Sequence, residues 1–415
     1  MNTICKCADI DIYLLYYLDI KRIMALATVS KDENIVVSGQ EFVKEIKLLK
    51  QKHKKINKTY IVDFACKYDY LELIKWLDAS VNDFKYTKDA INYASINGNI
   101  IMLEWFKKSG YEIKYSDWLI RDIVKNEHIC VLDWFDKCGI VFNYDGYIID
   151  EVVTTGNVLL LDWFNNSSYE FKYNTWTIVA ATKNGHINIL DWFNKSEHKF
   201  IYDKWAINYA SKNGHISVLE WFDKSGYEFL YSRGAINFAA ENGYIAVLEW
   251  FDKSDYEFKY NEDAILLAAA NGYIDILKWF DESKYDFIYD VTLVDNVCRG
   301  GHVKILDWLH KSRYEFKYTY NAITCASFYG HINILEWFDK SPYEFKYTFI
   351  ALFHASRNGH VSVLDWVDKS KYRFKYTNDQ INKILGASNN KIHEWFKQYK
   401  QRNNVKNKKS KKTKK

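Results

Sequence analysis

Tryptophan sets the frame for this chain. Trp76, Trp105, Trp134, Trp163, Trp192, Trp221, Trp250, Trp279, Trp308, Trp337, Trp366 and Trp395 follow one another at intervals of 29 residues, with no insertion or deletion. A fixed period of this size specifies a solenoid, a propeller or an array whose units contact mainly their neighbours. It displaces the two or three separate domains that 415 residues would otherwise suggest. A single proline, Pro342, and 17 glycines leave no room for Pro- or Gly-rich linkers between units. With 48% hydrophobic residues, the chain has the material for a continuous core.

The unit from Asp203 to Tyr231 shows the anatomy. Ala206, Ile207, Ala210 and Ser211 share one face of a first helix. Asp203 takes its N-cap, and the equivalent slot holds Thr87, Ser116, Asp145, Asn174, Ser232, Asn261, Asp290, Thr319, Thr348 and Thr377. All are short side chains able to accept from orphan backbone N–H groups. Gly214 closes the helix, and Gly98, Gly156, Gly185, Gly243, Gly272, Gly301, Gly330 and Gly359 share its place, which predicts a left-handed C-cap. A second helix follows from Ile216 to about Ser225, apolar around much of its circumference and so buried on more than one side. Its polar residues pair acid-first at i, i+4, as in Glu220/Lys224, Glu249/Lys253, Glu336/Lys340 and Asp365/Lys369, which reads as a solvated face. Tyr227-Glu228-Phe229-Leu230-Tyr231, more often spelled Tyr-Glu-Phe-Lys-Tyr, alternates rings with polar residues. The alternation predicts an extended segment whose rings point onto neighbouring helices and lock successive units together.

The stretch Ala210-Ser211-Lys212-Asn213-Gly214-His215-Ile216-Ser217-Val218-Leu219 resembles the Ala-Ala-x-Asn-Gly-His-x-x-Val-Leu core of ankyrin repeats, and the match recurs through about residues 60–400. The usual ankyrin repeat has about 33 residues. This one is shorter, and the likeness places the loss in the hairpin between helix pairs. Trp205-Ala206-Ile207-Asn208 stands where ankyrin repeats open with Thr-Pro-Leu-His. The Trp-Phe pair and the Tyr-Glu-Phe-Lys-Tyr segment look like the divergent ankyrin arrays encoded by amoeba-infecting giant DNA viruses. That resemblance implies a protein-binding role, with a host protein as partner.

The first 45 residues lie outside the repeat. Asp9-Ile10, Leu14-Leu15-Tyr16-Tyr17-Leu18-Asp19 and the run from Ile23 to Lys31 resemble an F-box, which docks substrate adaptors onto a ubiquitin ligase through a linker subunit. The resemblance would give Leu14, Leu15, Leu18, Ile23 and Val29 the docking role. Lys6-Cys7 replaces the family's Leu-Pro opening, and Glu33 stands where an aromatic residue belongs. The alternative is a plain helical cap over the first repeat, which a solenoid needs.

Nothing in the sequence carries a catalytic signature: there is no P-loop, Gly-x-Gly-x-x-Gly, Gly-x-Ser-x-Gly or His-Glu-x-x-His pattern. His128, His186, His215, His302, His331 and His360 share the slot after the glycine. Stacked helices stand about 8–10 Å apart, whereas zinc holds its ligands at about 2 Å. One histidine per repeat therefore suits loop hydrogen bonding, not a metal. Cys5-x-Cys7 lacks a matching pair, and seven cysteines without framework spacing suit a reducing compartment. No enzyme activity, metal or cofactor is expected.

The informative residues are those that vary where the repeat dictates nothing. Trp118, Trp176 and Trp205 lie off the tryptophan register, all two residues after an N-cap, and Tyr147 fills that slot between the first two. Other repeats have Asp89, Gly234, Asp263, Thr292, Asn321, Ile350 and Asp379 there. Two readings stand side by side: Trp118, Tyr147, Trp176 and Trp205 form a strip that anchors a partner, or they fill space between repeats.

The formal charge of +4 averages unlike parts. Residues 397–415 hold ten Lys/Arg and no acid, leaving 47 basic against 53 acidic residues before them. The run Lys406 to Lys415 reads as a disordered tail, suited to nuclear import or non-specific polyanion contact. Asp9 and Asp11 interrupt any signal-peptide core, and no run is long enough to span a bilayer. The expectation is an intracellular, cytoplasmic protein with no membrane contact. Its layout would be an F-box-like module or cap (1–45), a basic connector (46–59), an all-α ankyrin-like solenoid of about twelve helix pairs (60–400) and the tail (401–415). Ser388, Asn390 and His393 mark the last repeat as a capping one. The expected function is a non-enzymatic interaction scaffold, or alternatively a substrate adaptor of a ubiquitin ligase.

Overall fold

The computed structural model describes residues 58–80, 84–142, 147–372, 374 and 376–412. Among these residues every regular element is helical, and 24 helices follow one another in consecutive pairs. No described helix is long and apolar enough to cross a membrane. The chain divides into two units, residues 1–177 and 178–415.

In the first unit the first helices of successive pairs pack on one another: Lys58–Lys67 on Lys88–Ile96, that on Leu119–Lys125, and that on Ile148–Thr155. The second helices form their own row, Ile100–Lys108 against Ile129–Lys137 against Val158–Asn166. The second unit repeats the scheme. Lys204–Lys212, Gly234–Glu241, Glu262–Ala270, Thr292–Gly300, Asn321–Tyr329, Phe349–Arg357 and Asn378–Leu385 make the row of first helices.

The period explains the packing. Ala206, Ile207 and Ala210 from the first helix, and Val218, Leu219 and Phe222 from the second, are fully buried, as are their equivalents one repeat on. The alanines carry no bulk beyond Cβ, so neighbouring first helices approach closely. The phenylalanines fill the space left between the pairs.

The expected N-caps hold at Thr87, Asp203, Asn261, Thr348 and Thr377, whereas the helices expected to be capped by Ser116, Ser232, Asp290 and Thr319 start one or two residues later, with Trp118, Arg233, Val291 and Tyr320 as their N-caps. Thr87, Asn174, Asp203, Ser232, Asp290, Thr319 and Thr348 each accept the amide two residues on. Thr377 forms a capping box with Gln380. The Ser116 carbonyl takes the Leu119 amide in the turn that leads into its helix. Asn261 makes no side-chain cap bond and instead pairs with Asn237 and Asp263. Asp145 lies outside the described residues. The nine slot glycines have φ between +70° and +85°.

Successive repeats are joined by rings. Phe229 stacks on Trp250 at 5.5 Å and on Tyr256 at 4.0 Å, both from the next repeat. Phe200, Phe258, Phe316 and Phe345 do the same with their own next-repeat Trp and Tyr. The expected aromatic ladder is therefore present in the second unit. It is made without a strand: the backbone of the segment makes tight local turns, as from the Leu230 amide to the Glu228 carbonyl, and that carbonyl also accepts from the Tyr202 hydroxyl of the preceding repeat.

One boundary differs from expectation. The last helix runs Asn390–Lys412, past residue 401, where a disordered tail was expected. The segment contains neither glycine nor proline and is rich in Lys, which favours helix.

Candidate interaction surface

The slot of the four aromatic residues is held in two ways: Trp176 and Trp205 follow a capping side chain by two residues, whereas Trp118 and Tyr147 are themselves the N-caps of their helices. Asn174 Oδ1 accepts the Trp176 amide at 2.7 Å, and Asp203 Oδ1 accepts the Trp205 amide at 2.9 Å. At Trp118 the carbonyl takes the Arg121 amide at 3.0 Å.

The side chain is exposed in all four repeats. Trp118 is 60% exposed and Tyr147 59%, with Trp176 at 46%, all in the first unit. In the second unit Trp205 is 38% exposed. The Lys88 amine lies 5.3 Å over the Trp118 ring. The Trp205 ring lies 5.6 Å from Tyr209 on its own helix and 6.5 Å from Phe238 on the next. Packing between repeats thus accounts for part of Trp205 and for little of Trp118 or Tyr147.

A second exposed row was missed from the sequence. Ile101 is 73% exposed and Leu159 65%, and Cys130 between them is exposed as well. All three are the second residue of a second helix in the first unit. In the second unit that slot holds Asn188, Ser217, Ala246, Asp275, Lys304, Asn333, Ser362 and Lys391. The signal was this change from apolar to mostly polar, which a reading centred on tryptophan passes over. Val291, Tyr320 and Ile350 add exposed apolar side chains near the first-helix starts of three consecutive repeats in the second unit.

A buried polar row was also missed. Asp63 accepts the Thr87 amide at 2.9 Å and the Thr87 hydroxyl at 2.8 Å, 24 residues away. Asn92 accepts the Ser116 amide, Asn208 pairs with Ser232, and Asp295 takes the Thr319 amide at 3.0 Å. The starts of these four helices are thereby tied to the preceding first helix. Burial pushes the carboxyls of Asp63 and Asp150 up, against the lowering effect of their threonine partners.

The acids read as one half of solvated ion pairs have a second role. Glu249 does meet Lys253, at 3.7 Å. But Asp365 Oδ1 accepts the Trp395 indole N–H at 2.6 Å, and Glu104, Asp133, Asp191 and Asp307 serve Trp134, Trp163, Trp221 and Trp337 alike. The slot histidines act as expected: Nε2 of His215, His302 and His331 donates to a carbonyl of the preceding repeat at 3.0 Å. A carbonyl only accepts, so that nitrogen carries the proton.

Among the described residues no three His, Cys, Asp or Glu side chains are grouped so as to hold a metal ion. Burial drives the thiols of Cys66 and Cys298 well up, which makes them poor nucleophiles. Leu14, Leu15, Leu18, Ile23 and Val29, with Cys5 and Cys7, lie outside the described residues. Compared with known proteins, the chain matches no family model and no curated protein.

Proposed function

We propose that this chain is a non-enzymatic scaffold, an ankyrin-like solenoid that holds a partner protein on the exposed starts of its helices. One observation carries the reading: large aromatic side chains stand exposed in a slot where other repeats place Asp, Gly, Thr, Asn or, once, Ile. A soluble repeat gains nothing in stability by exposing an indole to water. Trp and Tyr are the side chains most enriched where interfaces concentrate their binding energy. The row Ile101, Cys130 and Leu159 supports the same reading from a second slot. The ankyrin likeness, and with it the viral origin and a host partner, belongs to this proposal.

The test compares the full-length protein with a variant carrying Ala at Trp118, Tyr147, Trp176 and Trp205. Proximity labelling in cells identifies the bound protein, and a thermal melt follows stability. Loss of that protein with unchanged melting is the expected outcome. A collapse in melting temperature would show that the four rings serve the fold, and retained binding would remove the surface from the proposal.

A further inference from the structure

Two departures from the repeat meet in the first unit. The slot that holds Asp78, Asp136, Asn165, Asp223 and Asp252 in other repeats holds Lys107 here. The slot that holds Ser109, Ser167, Ser196, Ser225 and Ser254 holds Cys138. The Lys107 ammonium donates to the Cys138 sulfur at 3.0 Å, across 31 residues of sequence. Lys107 is exposed and Cys138 partly so, and both lie outside the row of exposed aromatic residues.

The surrounding seam has changed with them. Elsewhere the acid accepts from the tyrosine of the next repeat, as Asp223 does from Tyr256 at 3.1 Å. The serine hydroxyl elsewhere donates to a helix carbonyl, as Ser254 does to Phe251 at 2.9 Å. Here the tyrosine is replaced by Ile140, and the stacking phenylalanine of the preceding repeat by Ile113. The seam between these two helix pairs therefore lacks two of the three rings that join others. An amine and a thiol stand in contact in their neighbourhood.

We propose that Lys107 and Cys138 form an oxidant-triggered covalent link between successive helix pairs. The oxidant is hydrogen peroxide. The Cys138 thiolate attacks one peroxide oxygen; an S–O bond forms, the O–O bond breaks, and hydroxide leaves and is protonated to water. Sulfur is oxidised by two electrons to the sulfenic acid, and the peroxide is reduced. The Lys107 ammonium loses a proton to solvent, and its nitrogen attacks the sulfur. An N–S bond forms, the S–O bond breaks, and the departing hydroxide takes the second amine proton as water. One thiol, one ammonium and one peroxide thus give one S–N link, two waters and a proton. The attacking nitrogen is already in contact with the sulfur, so capture is unimolecular and outruns further oxidation. A thiol reductant reverses the link by returning two electrons to sulfur.

The test treats the full chain with peroxide and maps it by mass spectrometry after proteolysis. The expected product joins the peptide bearing Lys107 to the peptide bearing Cys138, two hydrogens lighter than their sum, and disappears on thiol reduction. It is absent from Lys107→Asp and Cys138→Ser, changes that restore residues used by other repeats and so are compatible with folding. Dimedone trapping gives the second readout. Lys107→Asp is expected to show several-fold more trapped sulfenic acid at Cys138 than the parent chain, with exposed Cys130 labelled equally in both. Equal labelling of Cys138 in the two proteins would overturn the proposal. So would a parent chain whose Cys138 proceeds to sulfinic acid, or pairs with another cysteine, without the linked peptide.

Discussion

Replacing Phe258 by leucine removes a ring while keeping most of the apolar bulk. Phe258 lies face to face with Trp279 at 5.5 Å and with Tyr285 at 3.9 Å, with interplanar angles of 20° and 18°. An aromatic pair contributes about 0.5–1.5 kcal/mol beyond its buried area, so losing two stacked faces is expected to cost about 1–3 kcal/mol. The burial contribution is largely kept, because leucine fills a similar apolar volume. Urea unfolding of the full chain, followed by far-UV circular dichroism, reads the change. In a nearest-neighbour array a weakened seam also lowers cooperativity, so the transition should broaden as its midpoint falls. Ile113→Leu provides the control, since that slot has no phenylalanine ring to lose, and its effect should stay within about 0.5 kcal/mol. A double-mutant cycle with Tyr285→Leu isolates the ring–ring term, expected at about 0.5–1.5 kcal/mol. A coupling of only a few tenths, or a Phe258→Leu effect no larger than that of Ile113→Leu, would refute the ladder as the device that joins repeats.

Two further expectations rest on single residues. Gly243 has φ +78°, and a Cβ there would lie 2.5 Å from the Tyr273 ring, whereas Gly226 has φ +79° with nothing within 4 Å. Both Gly→Ala changes meet left-handed strain of about 1–2 kcal/mol. Gly243→Ala should cost a further 1–3 kcal/mol or so from overpacking, and Tyr273→Ala in the same chain should remove that excess; equal melting temperatures for the two single variants would contradict it. The second concerns Asp63, whose carboxyl is raised by burial. The native state then holds a proton that the unfolded chain has already released, so stability falls as pH rises from the ordinary aspartate range through the raised native value. Asp63→Asn should flatten that slope in denaturant titrations across the same window, leaving the part contributed by Asp69 and Asp150, which shift the same way. An unchanged slope would remove Asp63 from the account.

Much of the fold was legible because one unit is written twelve times. The caps, the left-handed glycines and the helix pairs are local properties, and repetition averages away the noise of any single copy. What escaped the sequence was the bonding between copies. Asp63, Asn208 and Asp295 are buried residues whose partners lie 24 residues on, and their type alone does not separate a buried acceptor from a solvated one. Asp365 satisfied an i, i+4 pattern with Lys369, yet its carboxylate also reaches the Trp395 indole in the next repeat. For the surface, sequence variation singled out Trp118, Tyr147, Trp176 and Trp205, but only the geometry showed how far each is exposed and that Trp205 leans on Tyr209 and Phe238. Ile101 and Leu159 went unnoticed because a lone aliphatic residue on an apolar helix looks like core until its exposure is known.

The joints between repeats recur at several fixed offsets. Polar contacts span 24 residues at Asn208 and Ser232, 26 at Tyr202 and Glu228, 30 at Asp191 and Trp221, 32 at Lys183 and His215, and 33 at Asp223 and Tyr256. These spans overlap, so one inserted or deleted residue falls inside several of them and shifts their partners out of reach together. Length in this chain is therefore quantised. A lineage carrying such a gene can add or lose whole repeats by duplication or excision, because that leaves every offset intact. It has almost no way to adjust one repeat by a single codon, and the unbroken spacing of twelve tryptophans records that filter.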